Sequence, residues 1–332
     1  MRETEQDASV PGQLGSTGLI VSRMGLGLAA LGRPAYINLG RERDFGPDRA
    51  VADLERRCHD MLDAACAAGI RYIDTARSYG MAEAFLGSWL QKRRLPRDAM
   101  TIGSKWGYAY VGSWRIDARV QEVKDLSVHT LRRQVIESRA LLGDRLRLYQ
   151  IHSATLDSGV LDDADVLGEL GRLRSEGLAI GLSVSGPQQG DTIRRALDVV
   201  VNGTPLFQAV QATWNLLEPS AGAALAEAKA RGLGVIVKEA LANGRLTDQH
   251  VTEQLSELKQ HADTQQATID ALAIAAALSQ PWADVVLSGA VTTDQLQSNL
   301  NAVRLADRIV EWPTIAEQPI AYWQHRSALA WK

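Results

Sequence analysis

The feature that most constrains this chain is repetition: short apolar runs alternate with longer helical stretches from one end to the other. The runs are Met24–Leu28, Arg71–Asp74, Met100–Lys105, Leu146–His152, Ala179–Val184, Ala209–Thr213, Gly234–Lys238 and Asp284–Ser288, eight in all. They are rich in Ile, Val and Leu and show little polar alternation, the pattern of parallel strands buried on both faces. Between them, Ala50–Ala68 places Val51, Leu54, Cys58, Met61, Leu62 and Ala65 at three-or-four spacing, and Val128–Leu142 repeats this with Leu131, Val135 and Leu142. Gly69, Gly143, Gly177 and Gly232 stand where helix C-termini need a left-handed cap before the next strand. Eight such units without a break in composition predict an α/β fold of the (β/α)8 TIM-barrel type. The expectation is one domain over residues 1–332, its barrel at about 21–306, an N-terminal hairpin at 12–23 around Ser16-Thr17-Gly18, and a tail at 307–332.

Two segments do not fit the repeat. The connection Gly32–Arg49 is long and follows the first strand, which puts it at the face where barrel enzymes work. The tail carries Trp312, Tyr322, Trp323 and Trp331. That many aromatics argues for packing on the barrel, over the site, or against another subunit.

Composition narrows the function classes. Of 332 residues 45% are hydrophobic and 23% charged, enough for a large core, and the formal charge of −3 supplies no basic field for nucleic acid or anionic membrane. No run approaches the roughly 20 apolar residues of a membrane span, and the charged start MRETEQDASVPG lacks a signal-peptide core. Cys58 and Cys66 fall in one helix, about 12 Å apart at 1.5 Å per residue, too far for a disulfide. A cytoplasmic enzyme is expected, and Asn202-Gly203-Thr204 is read as a turn, not a glycosylation site. No metal ligand set is singled out, and oligomeric state is left open.

Barrel strands all end at one mouth, so polar residues at strand ends are candidate catalytic groups. RYIDTARSYG places Asp74 there with Tyr79 on the next loop, TIGSKWG places Lys105, and LYQIHS places His152. A phenol is a poor acid near neutrality, but an ammonium beside it stabilises the phenolate, and a carboxylate keeps a buried lysine charged. A histidine adds a second bond to a substrate oxygen. Together these groups form a proton donor and an oxyanion site for carbonyl reduction. MGLGLAA at Met24–Ala30 satisfies a dinucleotide fingerprint, but Gly32-Arg33-Pro34 breaks any following helix, so it is read as the first strand.

GIRYIDTARSYG, SKWG and LYQIHS resemble, in order, the tyrosine, lysine and histidine motifs of the aldo-keto reductase family, and the likeness runs from about Leu14 to about Ala306. The resemblance implies that Tyr79 is the general acid, that Lys105 and Asp74 tune it, and that His152 orients the carbonyl. It also implies a nicotinamide cofactor, NADP(H) or NAD(H), lying across strands five to eight. Ser183 and Gln211 would hold the carboxamide, with Val184 standing where the family has Asn and Ser185 as a substitute. Trp214 takes an aromatic position, and Lys238 stands where the family often has a stacking aromatic. Leu241, Gly244 and Arg245 would cradle the pyrophosphate, and Gly289, Ala290, Thr292, Gln295 and Asn299 the adenosine side. Family habit points to NADP(H). The lack of Lys or Arg between Ser288 and Asn299, with Asp294 present, points to NAD(H). Both stay open.

Tyr36, Trp106, Tyr108 and Trp114 are the expected substrate contacts, suited equally to sugars and to aromatic aldehydes. Two rival readings remain at this stage. One is a barrel enzyme using Lys105 as a Schiff base, which leaves the Gln211–Asn215 and Ser288–Asn299 segments without a role. The other is a dinucleotide-binding subunit or sensor with little turnover, against which the intact tetrad counts.

Overall fold

The computed structural model describes residues 11–46, 49–309 and 311–332. The charged first ten residues, part of the reading on export, lie outside them, as do two residues of the long connection. Eight parallel strands close into a barrel: β1 (Met24–Gly27), β2 (Tyr72–Asp74), β3 (Thr101–Trp106), β4 (Leu146–Ala154), β5 (Ala179–Val184), β6 (Ala209–Thr213), β7 (Gly234–Lys238) and β8 (Val285–Ser288). Every expected run is a strand. β8 pairs with β1 and β5 with β6, so no edge is left open. MGLGLAA is indeed strand and turn.

Helices form the outer layer, among them Val51–Ala67 and Val128–Leu142, each within a residue of the periodic segment that predicts it. All four expected capping glycines have positive φ. The Ser127 side chain caps the second of these helices by accepting from Thr130 N. Cys58 and Cys66 are both free thiols. Asn202 and Gly203 form the tip of a small hairpin joining Val200–Val201 to Thr204–Pro205. No described helix is long and apolar enough to cross a membrane.

The two ends of the barrel are closed differently. Gly12–Gln13 and Ile20–Val21 pair as the expected hairpin, which sends Leu14, Leu19 and Val21 into an apolar cluster with Tyr72, Leu148, Ala179, Ala209, Ile236 and Val285. These are residues at or near the starts of the strands. Gly234 makes the plug possible, since a Cβ there would stand 2.4 Å from the Leu14 side chain. At the other end the chain runs into loops. After β3 it forms a second hairpin, Tyr108–Tyr110 with Glu122–Lys124. The tail forms a helix, Pro319–Ser327, and then returns to the long connection, where Tyr36 and Lys332 exchange two backbone hydrogen bonds (3.0 and 3.2 Å).

Candidate active site

A cavity of about 600 Å³ opens at the C-terminal ends of the strands. Asp74 is the last residue of β2, Lys105 lies near the end of β3, and His152 near the end of β4. At β4 the pairing with β5 slips between Ile151 and Ala154, and Ser153 has a positive φ of 52°. This bulge lets the consecutive residues His152 and Ser153 both reach the cavity, which a regular strand would forbid. Tyr79 sits in the turn after β2, held by Tyr79 N to Ala76 O (3.1 Å) and Met81 N to Gly32 O (2.7 Å).

The ammonium of Lys105 donates to Asp74 Oδ2 (2.5 Å), Thr75 O (3.0 Å) and Tyr79 OH (3.3 Å). An ammonium has three protons and no lone pair, so these contacts use all of them. The phenol oxygen is therefore an acceptor towards Lys105, and its own proton must point elsewhere. The Asp74 carboxylate is equally engaged, since its Oδ1 accepts from Gln211 Nε2 (2.8 Å) and from Tyr72 OH (3.4 Å). Tyr72 reaches it because Gly103 leaves room beside its hydroxyl.

The electrostatics differ in one respect from the sequence expectation. Burial first, and then Asp74, hold the Tyr79 phenol well above its ordinary pKa, so it keeps its proton at neutral pH. Lys105 does little to offset this because its charge is matched by Asp74 beside it, both side chains being at most 3% exposed. His152 is held well below its ordinary value by burial, then by Lys105 and Arg33, and is a neutral imidazole. Its Nδ1 lies 3.4 Å from Ser78 Oγ and its ring meets Tyr79 edge-on at 5.6 Å.

The remaining expected residues divide between the cavity wall and its surroundings. Gln211, Lys238, Leu241, Gly244, Gly289, Gln295 and Asn299 line the wall, with Ala290 and Ser185, and so do Tyr36 and Tyr108. Lys238 donates to Thr213 Oγ1 (2.7 Å), and burial lowers its pKa to about 8. Asn299 hydrogen-bonds with Ser288 Oγ (2.8 Å). Off the wall, Ser183 Oγ accepts from Ser153 N (2.8 Å), and Trp214 packs edge-on against Trp282 at 5.8 Å. Arg245 is paired with Glu317 (3.1 Å), and Thr292 caps the helix Thr293–Leu300 by accepting from Gln295 N. Trp106 is wholly buried, and Trp114 donates to Arg49 O (2.8 Å) beside Phe85.

Several wall residues escaped the sequence reading: Arg33, in the long connection, and Glu122, Glu239, Asn243 and Arg326, which carry no motif signal. Trp331, one of the tail aromatics singled out in the sequence, also lies on the wall. Arg326 makes a two-pronged bond to Glu239 (2.5 and 3.0 Å). Burial would raise the Glu239 pKa, but Arg326 and Lys238 outweigh it and bring it to about 2. After β7, Glu239, Ala242, Asn243 and Gly244 all have positive φ, a conformation costing roughly 1–3 kcal/mol at each non-glycine residue.

A nicotinamide dinucleotide fits this donor set. Asn243 Oδ1 is buried on the wall without a hydrogen-bond partner among the described residues, in the turn beside the cavity. One end of the cavity carries the phenol and the cations Arg33, Lys238 and Arg326; the other carries Asp270 and Asp294, and Asp248, which is paired with Lys259 (3.7 Å). Asp270 Oδ2 accepts from Ser298 Oγ (2.8 Å).

Comparison with known proteins agrees with this geometry. The family model described as "Aldo/keto reductase family" matches residues 24–317. The chain is 26% identical over 324 residues to the NADH-specific methylglyoxal reductase of Escherichia coli K12, covering 88% of this chain and 93% of that one. It is 28% identical over 310 residues to the L-galactose dehydrogenase of Arabidopsis thaliana, covering 87% and 86%. The solved holo form of aldo-keto reductase AKR11C1 from Bacillus halodurans shares the fold, with a TM-score of 0.66, 22% identity and 96% of each chain covered. With a barrel of eight parallel strands and a family match over most of its length, the chain belongs to the aldo/keto reductase family.

Proposed function

We propose that this protein moves hydride between a nicotinamide dinucleotide and a small carbonyl or alcohol, an aldehyde, ketone or sugar, with Tyr79 as the general acid and base. The observation that carries the reading is the Lys105 ammonium, whose three bonds leave the Tyr79 proton free to point into the cavity. When bound, the dinucleotide supplies or accepts the hydride. In reduction, Tyr79 gives its proton to the carbonyl oxygen as charge builds there, and the phenolate left behind accepts from Lys105. Neutral His152 holds the same oxygen without adding charge, and Asp74 holds the Lys105 side chain in place behind the phenol. Tyr36, Tyr108 and Trp331 line the substrate side.

On the cofactor side, Lys238 and the backbone of the turn after β7 would meet the pyrophosphate, Asn243 Oδ1 would accept from a ribose hydroxyl, and Asn299 and Gln295 would meet the adenosine. The carboxylates at that end favour NAD(H), because an aspartate accepts from a free ribose hydroxyl but repels a 2′-phosphate. A relative named as NADH-specific is consistent with this. Purified protein assayed at 340 nm with each dinucleotide against a panel of aldehydes, ketones and sugars tests both parts. Turnover is expected, with NADH bound at least tenfold more tightly than NADPH by tryptophan fluorescence. Binding without turnover on any carbonyl would refute the catalytic reading; equal affinities would refute the cofactor preference alone.

A further inference from the structure

Strand β4 is irregular at the point where it enters the cavity. Between its pairings with β5 it advances three residues, from Ile151 to Ala154, while β5 advances two, from Leu182 to Val184. The extra residue is absorbed at Ser153, whose φ of 52° lies in the left-handed region that side chains rarely adopt. Such a conformation persists only where its surroundings determine it. Here both polar groups of the Ser153 backbone are bound by side chains of other elements. Its N–H donates to Ser183 Oγ (2.8 Å) on β5, and its carbonyl accepts from Lys124 Nζ (2.8 Å) on the hairpin after β3. A bulge takes its residue out of the regular ladder, and these two side chains stand in for the neighbouring strand. Tyr108, which pairs with Lys124 across the hairpin, packs on the His152 ring at 4.9 Å between centroids, so the clamp and the imidazole share one aromatic neighbour.

The position of Ser183 bears on its role. The family resemblance gives this serine to the nicotinamide carboxamide, yet it is 1% exposed, lies off the cavity wall and turns its oxygen to the Ser153 amide. Ser185 and Gln211, by contrast, line the wall. We infer that Ser183 and Lys124 are positioning residues for His152, the two side chains that hold the β4 bulge in the shape that carries the imidazole to the substrate oxygen. Ser183 thereby serves the peptide after His152 and not the dinucleotide. This rests on the reading of His152 as the group that holds that oxygen. Without the Ser183 acceptor, the Ser153 peptide can relax towards a regular strand, and period-two alternation then turns one of His152 and Ser153 away from the cavity. Lys124 is the weaker tie, because its side chain is exposed and water competes for the same carbonyl.

The test uses the full-length enzyme and three readouts: reduction kinetics, dinucleotide Kd, and the imidazole NMR signals of protein carrying isotope-labelled histidine. The His152 signal is assigned as the one lost in His152→Gln. Ser183→Ala should lower kcat/KM by about tenfold, leave the dinucleotide Kd within twofold of wild type, and shift the His152 signal alone. Lys124→Met should do the same to a smaller degree, about threefold, and Lys124→Arg, which keeps a donor, should restore the wild-type value. Added to His152→Gln, Ser183→Ala should cost less than about twofold more, since the imidazole it positions is gone. A weakened Kd in Ser183→Ala with the His152 signal in place would assign the serine to the dinucleotide and overturn the inference. So would an unmoved signal with wild-type kinetics. Should Ser183→Ala fail to fold, Lys124→Met decides it, and wild-type kinetics with an unmoved signal there would overturn the inference equally. If His152→Gln itself keeps the wild-type rate, the catalytic reading of His152 fails, while the signal shift in Ser183→Ala still reports whether the bulge is held as inferred.

Discussion

The two ends of this barrel are made of the same eight strands and have opposite chemistry. At the starts of the strands, Leu14, Leu19 and Val21 from the hairpin fill the opening with hydrocarbon, and all of them are buried. At the ends of the strands, Asp74 and Lys105 are just as deeply enclosed but charged, and Lys238 and Glu239 are partly so, each held by partners on another element or in a neighbouring loop. Apolar contacts at one end supply stability; at the other, burial costs stability and yields groups with altered acidity. Substitutions at the two ends should therefore separate stability from rate.

The largest effect is expected at the charged end. Lys105→Met leaves Asp74 buried without its counter-ion, which should cost about 3–5 kcal/mol in denaturant unfolding and remove turnover as well. A variant that kept both would show that the lysine is not integrated as described. Next comes Leu14→Ala at the plug, expected to cost about 3 kcal/mol while kcat/KM per folded molecule stays at wild type. A lowered kcat/KM with unchanged stability would erase the contrast between the ends. Smallest is Asn243→Ala. Its partnerless oxygen is assigned to the cofactor, so dinucleotide affinity should fall about tenfold, near 1.4 kcal/mol, with little change in unfolding free energy. A loss of stability without a loss of affinity would place Asn243 in the fold alone.

Much of this arrangement is visible in the linear chain, for definite reasons. Parallel strands buried on both faces leave unbroken apolar runs, and β5, β6 and β7 have the very limits those runs suggest. Asp74, Lys105 and His152 are legible because a barrel strand ending in a polar residue points it at the mouth. Trp106 shows a period-two signal available but not applied: it follows Lys105 on β3, so when Lys105 faces the cavity Trp106 faces the helices, where it is buried. Arg33, Glu122 and Asn243 belong to a different class. Arg33 and Glu122 are 89 residues apart and meet only because two loops converge over β2, and no local pattern encodes that. The Tyr79 acidity was likewise hidden, since neighbour identity suggests a lowered pKa and only the burial of the phenol itself, with Asp74 beside it, shows the reverse.

The central claim is that one phenol, its proton directed into the cavity by the lysine behind it, performs the proton transfer. Single-turnover reduction by Tyr79→Phe, with dinucleotide affinity measured on the same preparation, tests it most directly. The account predicts a rate lowered by about a hundredfold or more with the Kd essentially unchanged. Wild-type rate in that variant would contradict it.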